Sequence, residues 1–167
     1  MAEELIFSDE EAEFLKELRR QKVDFMIVGL AAAALQGAPV VTQDVDLWFR
    51  DLTDPGIRRA LKAVGGTYVP PIELNPPMFA GRAVGLFDIV THMHGLREFD
   101  QEKRNTIKVR LGRFRLPVLK LERIIAGKKA TGRPKDKLAV PVLRDALKAI
   151  RALHHGSPTA RSSEQAG

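Results

Sequence analysis

Val28-Gly-Leu-Ala-Ala-Ala-Ala-Leu-Gln-Gly-Ala-Pro-Val-Val-Thr-Gln-Asp-Val-Asp-Leu-Trp-Phe49 is the stretch on which the fold turns. It opens at the end of Asp24–Gly29, an apolar run that reads as a short buried strand closing on glycine. Leu30–Gln36 is alanine-rich and reads as a small helix packed closely on that strand, stopped by Gly37 and Pro39. Asp44–Arg50 reads as the next strand. Side chains alternate faces along a strand, so Asp44 and Asp46 point the same way. Two carboxylates on one face repel each other unless a cation lies between them. Magnesium suits the pair, because it takes oxygen ligands from one or two carboxylates plus substrate phosphates. Gly29 lets backbone amides and a helix N-terminus approach a phosphate closely. Taken singly these signals are weak: Asp-x-Asp also decorates turns, and a glycine also merely ends a strand. Together they put both halves of a phosphate-transfer site within eighteen residues.

Working outward, Ser8 with Glu11 three positions on forms a capping-box pattern. Phe14, Leu15 and Leu18 recur at helical spacing, which predicts an amphipathic helix over Asp9–Gln21. Asp54 and Pro55 open a helix running to about Val64, ended by Gly65-Gly66. Thr67–Gly81 carries four prolines and reads as a loop or irregular hairpin. Arg82–Thr91 reads as a buried strand, and Asp88 is the lone charge inside Ala83–Thr91. Such a carboxylate needs a cation, a hydrogen-bonding network or a proton. If its strand lies beside Asp44 and Asp46, three carboxylates converge toward a two-metal site. Thr106–Leu111 and Phe114–Leu116 flank Gly112-Arg113 as a hairpin. Lys120–Ala130 and Pro141–His154 read as helices. The alternation predicts an α/β (α+β) fold, a short mixed β-sheet flanked by helices. Residues 1–155 are expected to form one domain, with the small polar residues 156–167 expected as a disordered tail.

Composition narrows the function. The chain has 167 residues, with 44% hydrophobic and 29% charged, enough for a core without staples. It has no cysteine, which excludes disulfide scaffolds, thiolate zinc sites and cysteine nucleophiles. Its longest apolar runs, such as Phe25–Ala34, are far short of a bilayer span. Met1–Glu17 holds seven acidic residues and lacks the apolar block of a secretory signal. A cytoplasmic protein without a membrane partner is expected. The formal charge is +6, but Gln101–Lys135 alone holds twelve Lys/Arg against Glu102 and Glu122, a local net of +10. That block reads either as a solvated surface or as a site for polyanions. Phe114 alone interrupts it, so it lacks the stacking platforms of a dedicated single-strand binder.

The quoted motif resembles the nucleotidyltransferase superfamily of the DNA polymerase β type, in the minimal bacterial branch that includes the AbiEii-like toxins. Its pattern is a strand ending in Gly-Gly or Gly-Ser, a helix, then Thr-x-Asp-x-Asp on the next strand. Gly29, Thr42, Asp44 and Asp46 match it, and Asp88 stands where the third carboxylate is expected. Leu121–Asp136 is similar to the helix and Gly-Arg-Pro-Lys-Asp signature of the same small proteins. Leu30 departs from the pattern, standing where the second Gly or Ser belongs.

The resemblance implies a polymerase-β-like core and Mg²⁺-dependent (or Mn²⁺-dependent) transfer of a nucleoside monophosphate from an NTP to an acceptor hydroxyl. The acceptor would be tRNA, other RNA, a protein or a small molecule, in a toxin with an antitoxin partner. Asp44, Asp46 and Asp88 would be catalytic and bind metal. Gly29, Leu30, Thr42, Lys128, Arg133 and Lys135 would line the nucleotide. The rival class is a non-catalytic module of the same fold, binding nucleic acid or a protein through residues 101–135.

Some residues stay open on sequence alone. Leu121, Ile124, Ile125 and Lys128 share one helix face, so Lys128 either meets phosphate or snorkels at the helix end. Arg133, Lys135 and Asp136 either form an ion-paired turn or contact nucleotide. Trp48 is a stacking platform or a core residue. His92 and His94 share a face but lack a third ligand for zinc. His154 and His155 suit a helix C-terminus. No Walker loop, nucleophile elbow or dinucleotide fingerprint occurs.

Overall fold

The Ser8 hydroxyl accepts from the Glu11 amide at 3.2 Å, and the Glu11 carboxylate accepts from the Ser8 amide at 2.8 Å. The expected capping box thus starts α1 (Asp9–Arg20). The computed structural model describes residues 6–155, so the tail expected over 156–167 lies outside the described residues. Phe14, Leu15 and Leu18 of α1 are fully buried, and Phe14 packs against Phe79 and Phe87. On its outer side Arg20 pairs with Glu13 and Glu17.

The chain continues through β1 (Phe25–Val28), α2 (Gly29–Leu35), β2 (Val45–Phe49) and α3 (Pro55–Ala63). Asp54 caps α3 by accepting from the Gly56 amide at 2.8 Å, with Pro55 in its first turn. The proline-rich stretch forms a small ribbon of β3 (Thr67–Val69) and β4 (Met78–Ala80). Next come β5 (Phe87–Val90), α4 (Phe99–Glu102), a 3₁₀ turn at Lys103–Asn105, and the hairpin of β6 (Thr106–Leu111) and β7 (Phe114–Leu119). Two helices close the chain: α5 (Leu121–Thr131) and α6 (Pro134–His155).

The main sheet has five strands in the order β5-β2-β1-β7-β6. It is mixed, as expected: β1/β2 and β6/β7 run antiparallel, β1/β7 and β2/β5 parallel. Val45, Leu47 and Phe49 join the aromatic core beneath α1. Asp46 and Trp48 alternate onto the other face. Trp48 is 1% exposed and meets Phe99 edge-on, so it is a core residue and not a stacking platform.

α5 is held at its start by side chains from elsewhere. Lys120 offers it no side-chain cap. The Gln36 carbonyl accepts from the Leu121 amide at 3.1 Å, while the Gln36 amide donates to the Ala32 and Leu119 carbonyls. In the same turn Arg123 grips the fully buried Glu102 through Nε and a terminal nitrogen.

Two expectations change. The strand predicted over Arg82–Thr91 is ordered as β only from Phe87. Val84 donates to the Gly81 carbonyl and Phe87 to the Val84 carbonyl, so the preceding residues turn, burying Ala83 and Val84 without pairing. The last helix begins at Pro134 rather than Pro141. Proline fits a first turn, and Pro141 then removes one bond to Lys137 from the exposed side of α6. Burial at Asp136, Val140, Leu143 and Ala146 keeps helical spacing through it.

Glu102→Ala should destabilise the fold by about 2–3 kcal/mol, at the lower end for a broken buried pair because Arg123 retains some access to water. Urea unfolding at pH 7 measures it; a change under about 0.5 kcal/mol would mean that the pair does not fix α5.

Candidate active site

β2 and β5 run parallel with Asp46 opposite Asp88, and partners in such a ladder share a face. The third carboxylate therefore stands beside the second, one strand away. Asp44 lies just before β2. The Thr42 hydroxyl donates to the Asp44 carbonyl at 2.8 Å and accepts from its amide at 3.3 Å, forming a tight turn that fixes the strand's entry.

Behind Asp46 is Gly29, the first residue of α2. It has φ +69°, and a Cβ there would lie 2.5 Å from Asp46 Oδ2. Both the backbone conformation and the space demand glycine. The role that sequence assigned to Gly29, close approach of phosphate, is joined by one the sequence did not show: room for the carboxylate.

These acids form one wall of a cleft of about 320 Å³, and Lys128, Arg133, Lys135 and Asp136 form the other. Thr42, Leu30 and Ala139 complete the lining. Eight of the nine predicted site residues meet in this cleft. Gly29 lines an adjoining hollow that shares Asp46, Lys128, Arg133 and Asp136 with it. Leu30 presents an apolar side chain to the cleft.

Asp136, open on sequence alone between an ion-paired turn and a nucleotide contact, also lines the cleft. Its carboxylate is 1% exposed and binds Lys128 Nζ at 3.2 Å and Arg133 Nε at 2.8 Å. Of the two readings open for this stretch, an ion-paired turn forms between Arg133 and Asp136, and Lys128 is anchored by the same acid rather than snorkelling. A signal existed: Asp136 is the one carboxylate between Glu122 and Asp145, amid a run of cations.

Burial of Asp46 raises its pKa, and the negative charge of Asp88 raises it further. Lys128 and Lys135 oppose this without cancelling it. Asp88 is also raised, by burial and then by Asp44. Burial would raise Asp136 too, but the hydrogen bonds and charges of Arg133 and Lys128 outweigh it and hold its pKa below the ordinary carboxylate value. Two carboxylates short of a counter-charge thus face one that has two. Among the described residues, no three His, Asp or Glu side chains close into a ready-made metal cage. The donor set is nevertheless all carboxylate oxygen, the chemistry a hard divalent ion takes when other oxygens complete its shell.

His92 and His94 stand at the hollow's rim, rings 6.0 Å apart, with no third ligand gathered. Their turn docks on α5 at Gly95 (φ +75°), where a Cβ would overlap Ala130.

The fold has a counterpart among solved structures. ANT(2")-Ia in complex with adenylyl-2"-tobramycin matches with a TM-score of 0.56 and 13% identity, covering 86% of this chain and 91% of that one. That protein is a nucleotidyltransferase of the polymerase-β-like fold, and the fold of this chain is of the same kind. No protein-family model matches the sequence, and no curated protein matches it. Among the described residues no helix is long and apolar enough to cross a membrane.

Gly29→Ala should lower stability by about 1–2 kcal/mol and displace Asp46, because the positive φ and the contact oppose any Cβ. Thermal unfolding checks the first effect; a wild-type melting temperature would contradict the close approach. Asp136 tests the ion pairs. Its lowered folded pKa adds stability above the ordinary value of about 3.9, and that stability is lost as pH falls through the folded value. Asp136→Asn should cost about 2–3 kcal/mol at pH 7 and clearly less near pH 3. Equal losses in urea at both pH values would sink the ion-pair account.

Proposed function

We propose that this protein is a nucleotidyltransferase that moves a nucleoside monophosphate from an NTP to an acceptor hydroxyl. One observation carries the reading: the β2/β5 register sets Asp46 beside Asp88 in a cleft that also holds Asp44, facing Lys128, Arg133 and Lys135. The likeness in fold to a nucleotidyltransferase supports it.

Asp44, Asp46 and Asp88 would hold Mg²⁺, with Mn²⁺ as a substitute. The bound ion supplies charge neutralisation and polarises phosphorus–oxygen bonds. The residues do the rest. Lys135 and the exposed end of Arg133 meet the triphosphate, and Lys128, braced by Asp136, adds a positive field next to Asp46. Leu30 makes one wall apolar, so phosphate binding falls to the α5–α6 cations more than to a Gly-Gly or Gly-Ser loop. Thr42 keeps Asp44 in place. The acceptor oxygen attacks the α-phosphorus, the bond to the β-phosphate bridge breaks, and pyrophosphate leaves with that electron pair. Asp88 takes the acceptor proton as general base. Rate enhancement comes from positioning and charge neutralisation, with no covalent enzyme intermediate.

The AbiEii-like resemblance adds a setting: a cytoplasmic toxin that modifies tRNA or protein and is held in check by an antitoxin. A second reading keeps the fold and drops the catalysis. It is favoured by the β6–β7 hairpin, where Arg110 and Arg115 stand directly opposite each other with Lys108 nearby. Like charges so placed are unfavourable until an anion covers them.

Calorimetric titration with each NTP, with and without Mg²⁺, separates the two. We expect Mg²⁺-dependent binding of at least one NTP, weakened tenfold or more by Asp46→Asn. Binding of RNA that ignores Mg²⁺ and survives Asp46→Asn, with no NTP bound, would favour the second reading.

A further inference from the structure

A second groove meets the cleft at Asp88. It measures about 420 Å³ and runs between the β3–β4 ribbon and the outer edge of β5. Val69, Ile72 and Met78 line the ribbon side; Phe87, Asp88 and Ile89 line the sheet side. Three consecutive strand residues cannot all face one groove through their side chains, because these alternate. The groove therefore follows the backbone edge of β5.

Among the described residues that edge is open: β5 is the outermost strand of the sheet and pairs with β2 alone. The Leu86 carbonyl accepts from Val45 on the β2 side, so Asp88 also turns its backbone inward, and Phe87 and Ile89 turn theirs outward. The Phe87 amide is taken by the Val84 carbonyl. No hydrogen bond from the described residues reaches the Phe87 carbonyl or the backbone of Ile89. The ribbon cannot close the edge easily, because Pro70, Pro71, Pro76 and Pro77 bring no amide donors to it. The same ribbon leaves Ile72 58%, Leu74 100% and Met78 54% exposed, three of the seven large apolar side chains left exposed among the described residues.

Charge excludes one class of occupant. Among the described residues the sole charged one lining the groove is Asp88, and no Lys or Arg lines it. The basic hairpin is at the opposite edge of the sheet. A polyanion laid in this groove would meet a carboxylate and no cation, whereas an uncharged extended chain would meet unpaired backbone groups and apolar walls.

We infer that the acceptor is a polypeptide: an extended segment pairs along the outer edge of β5, seats apolar side chains against Ile72 and Met78, and presents a Ser, Thr or Tyr hydroxyl to the Asp88 end of the cleft. The chemistry rests on the proposed nucleotidyl transfer; the binding does not. The hydroxyl oxygen bonds to the α-phosphorus, pyrophosphate departs, and the proton passes to Asp88, leaving a phosphodiester-linked nucleotide on the side chain.

The test uses the full chain and fluorescein-labelled nine-residue peptides with a central Ser, Thr or Tyr flanked at alternate positions by Val, Ile or Leu. Fluorescence anisotropy should detect binding that weakens tenfold or more in Ile72→Asp and Met78→Asp, both exposed positions whose folding is checked by melting. N-methylation of the peptide should abolish binding on one alternating set of residues and not on the other, as edge pairing requires. With α-³²P-labelled NTPs and Mg²⁺, label should pass to bound peptide in preference to bulk tRNA. Absence of peptide binding, or binding indifferent to both variants, would overturn the inference. So would label on tRNA that both variants transfer at wild-type rates. Groove-dependent peptide binding without any NTP binding would instead support the docking site and defeat the nucleotidyl-transfer reading.

Discussion

The Asp46 carboxylate occupies the space that a Cβ on Gly29 would need, and the parallel register of β2 with β5 puts Asp88 at its side. Neither arrangement favours folding. The acid loses hydration and meets a like charge, so its ionised form is disfavoured in the native state. The raised pKa means that Asp46 and Asp88 oppose folding at neutral pH and cease to do so only as acid protonates them. The surrounding structure therefore has to over-determine their positions. It does so with a buried β1, a helix α2 made almost wholly of alanine and leucine, and a turn clasped by Thr42.

Placing the cations opposite is the task of α5, which is fixed near both ends by buried acids from other elements. Glu102 holds Arg123 near its start, and Asp136 holds Lys128 near its end. Asp136 also holds Arg133, whose side chain remains 56% exposed and so stays available to the cleft. One buried carboxylate thus orients two cations that would otherwise spread toward water. It takes one contact of Lys128, yet the lysine's charge still acts on Asp46. The arrangement resembles a metal site's supporting shell in its logic: an outer acid fixes the groups that face the substrate.

The sequence made local features legible. Caps at Ser8 and Asp54, the Gly112 hairpin and the strand-glycine-helix-Asp-x-Asp order all depend on neighbours within a few residues, and each is present. Of the nine candidate residues eight line the cleft, and Asp88 joins Asp46 there because β5 pairs with β2, the condition the lone Asp88 set in the sequence. What escaped was decided at long range. Ala83 and Val84 look like strand residues because they are apolar, but a turn can bury them equally well. Pro141 looks like a helix start, yet an exposed proline seven residues into a long helix is affordable when the opposite stripe is packed. Glu102 is an ordinary acid in sequence, and only its partner Arg123, 21 residues away, makes it interior. The apolar groove at β5 depends on a ribbon whose prolines read only as a loop.

Net charge would have misdirected the search for substrate. Of the twelve cations in 101–135, Lys103, Arg123, Lys128 and Arg133 are committed to carboxylates of the chain itself. Lys108, Arg110, Arg113 and Arg115 lie on the hairpin at the β6 edge. The β5 edge is nearly uncharged. In the proposed reaction the attacking and leaving oxygens must stand roughly in line on opposite sides of the α-phosphorus. A leaving pyrophosphate needs cations, and an attacking hydroxyl needs a base and a neutral approach. The cleft has Lys135 and Arg133 on the α6 side, while Asp88 and an apolar groove lie toward β5. The asymmetry of charge across the sheet is thus the asymmetry that an in-line transfer demands. A basic isoelectric point, averaged over the surface, carries none of that direction.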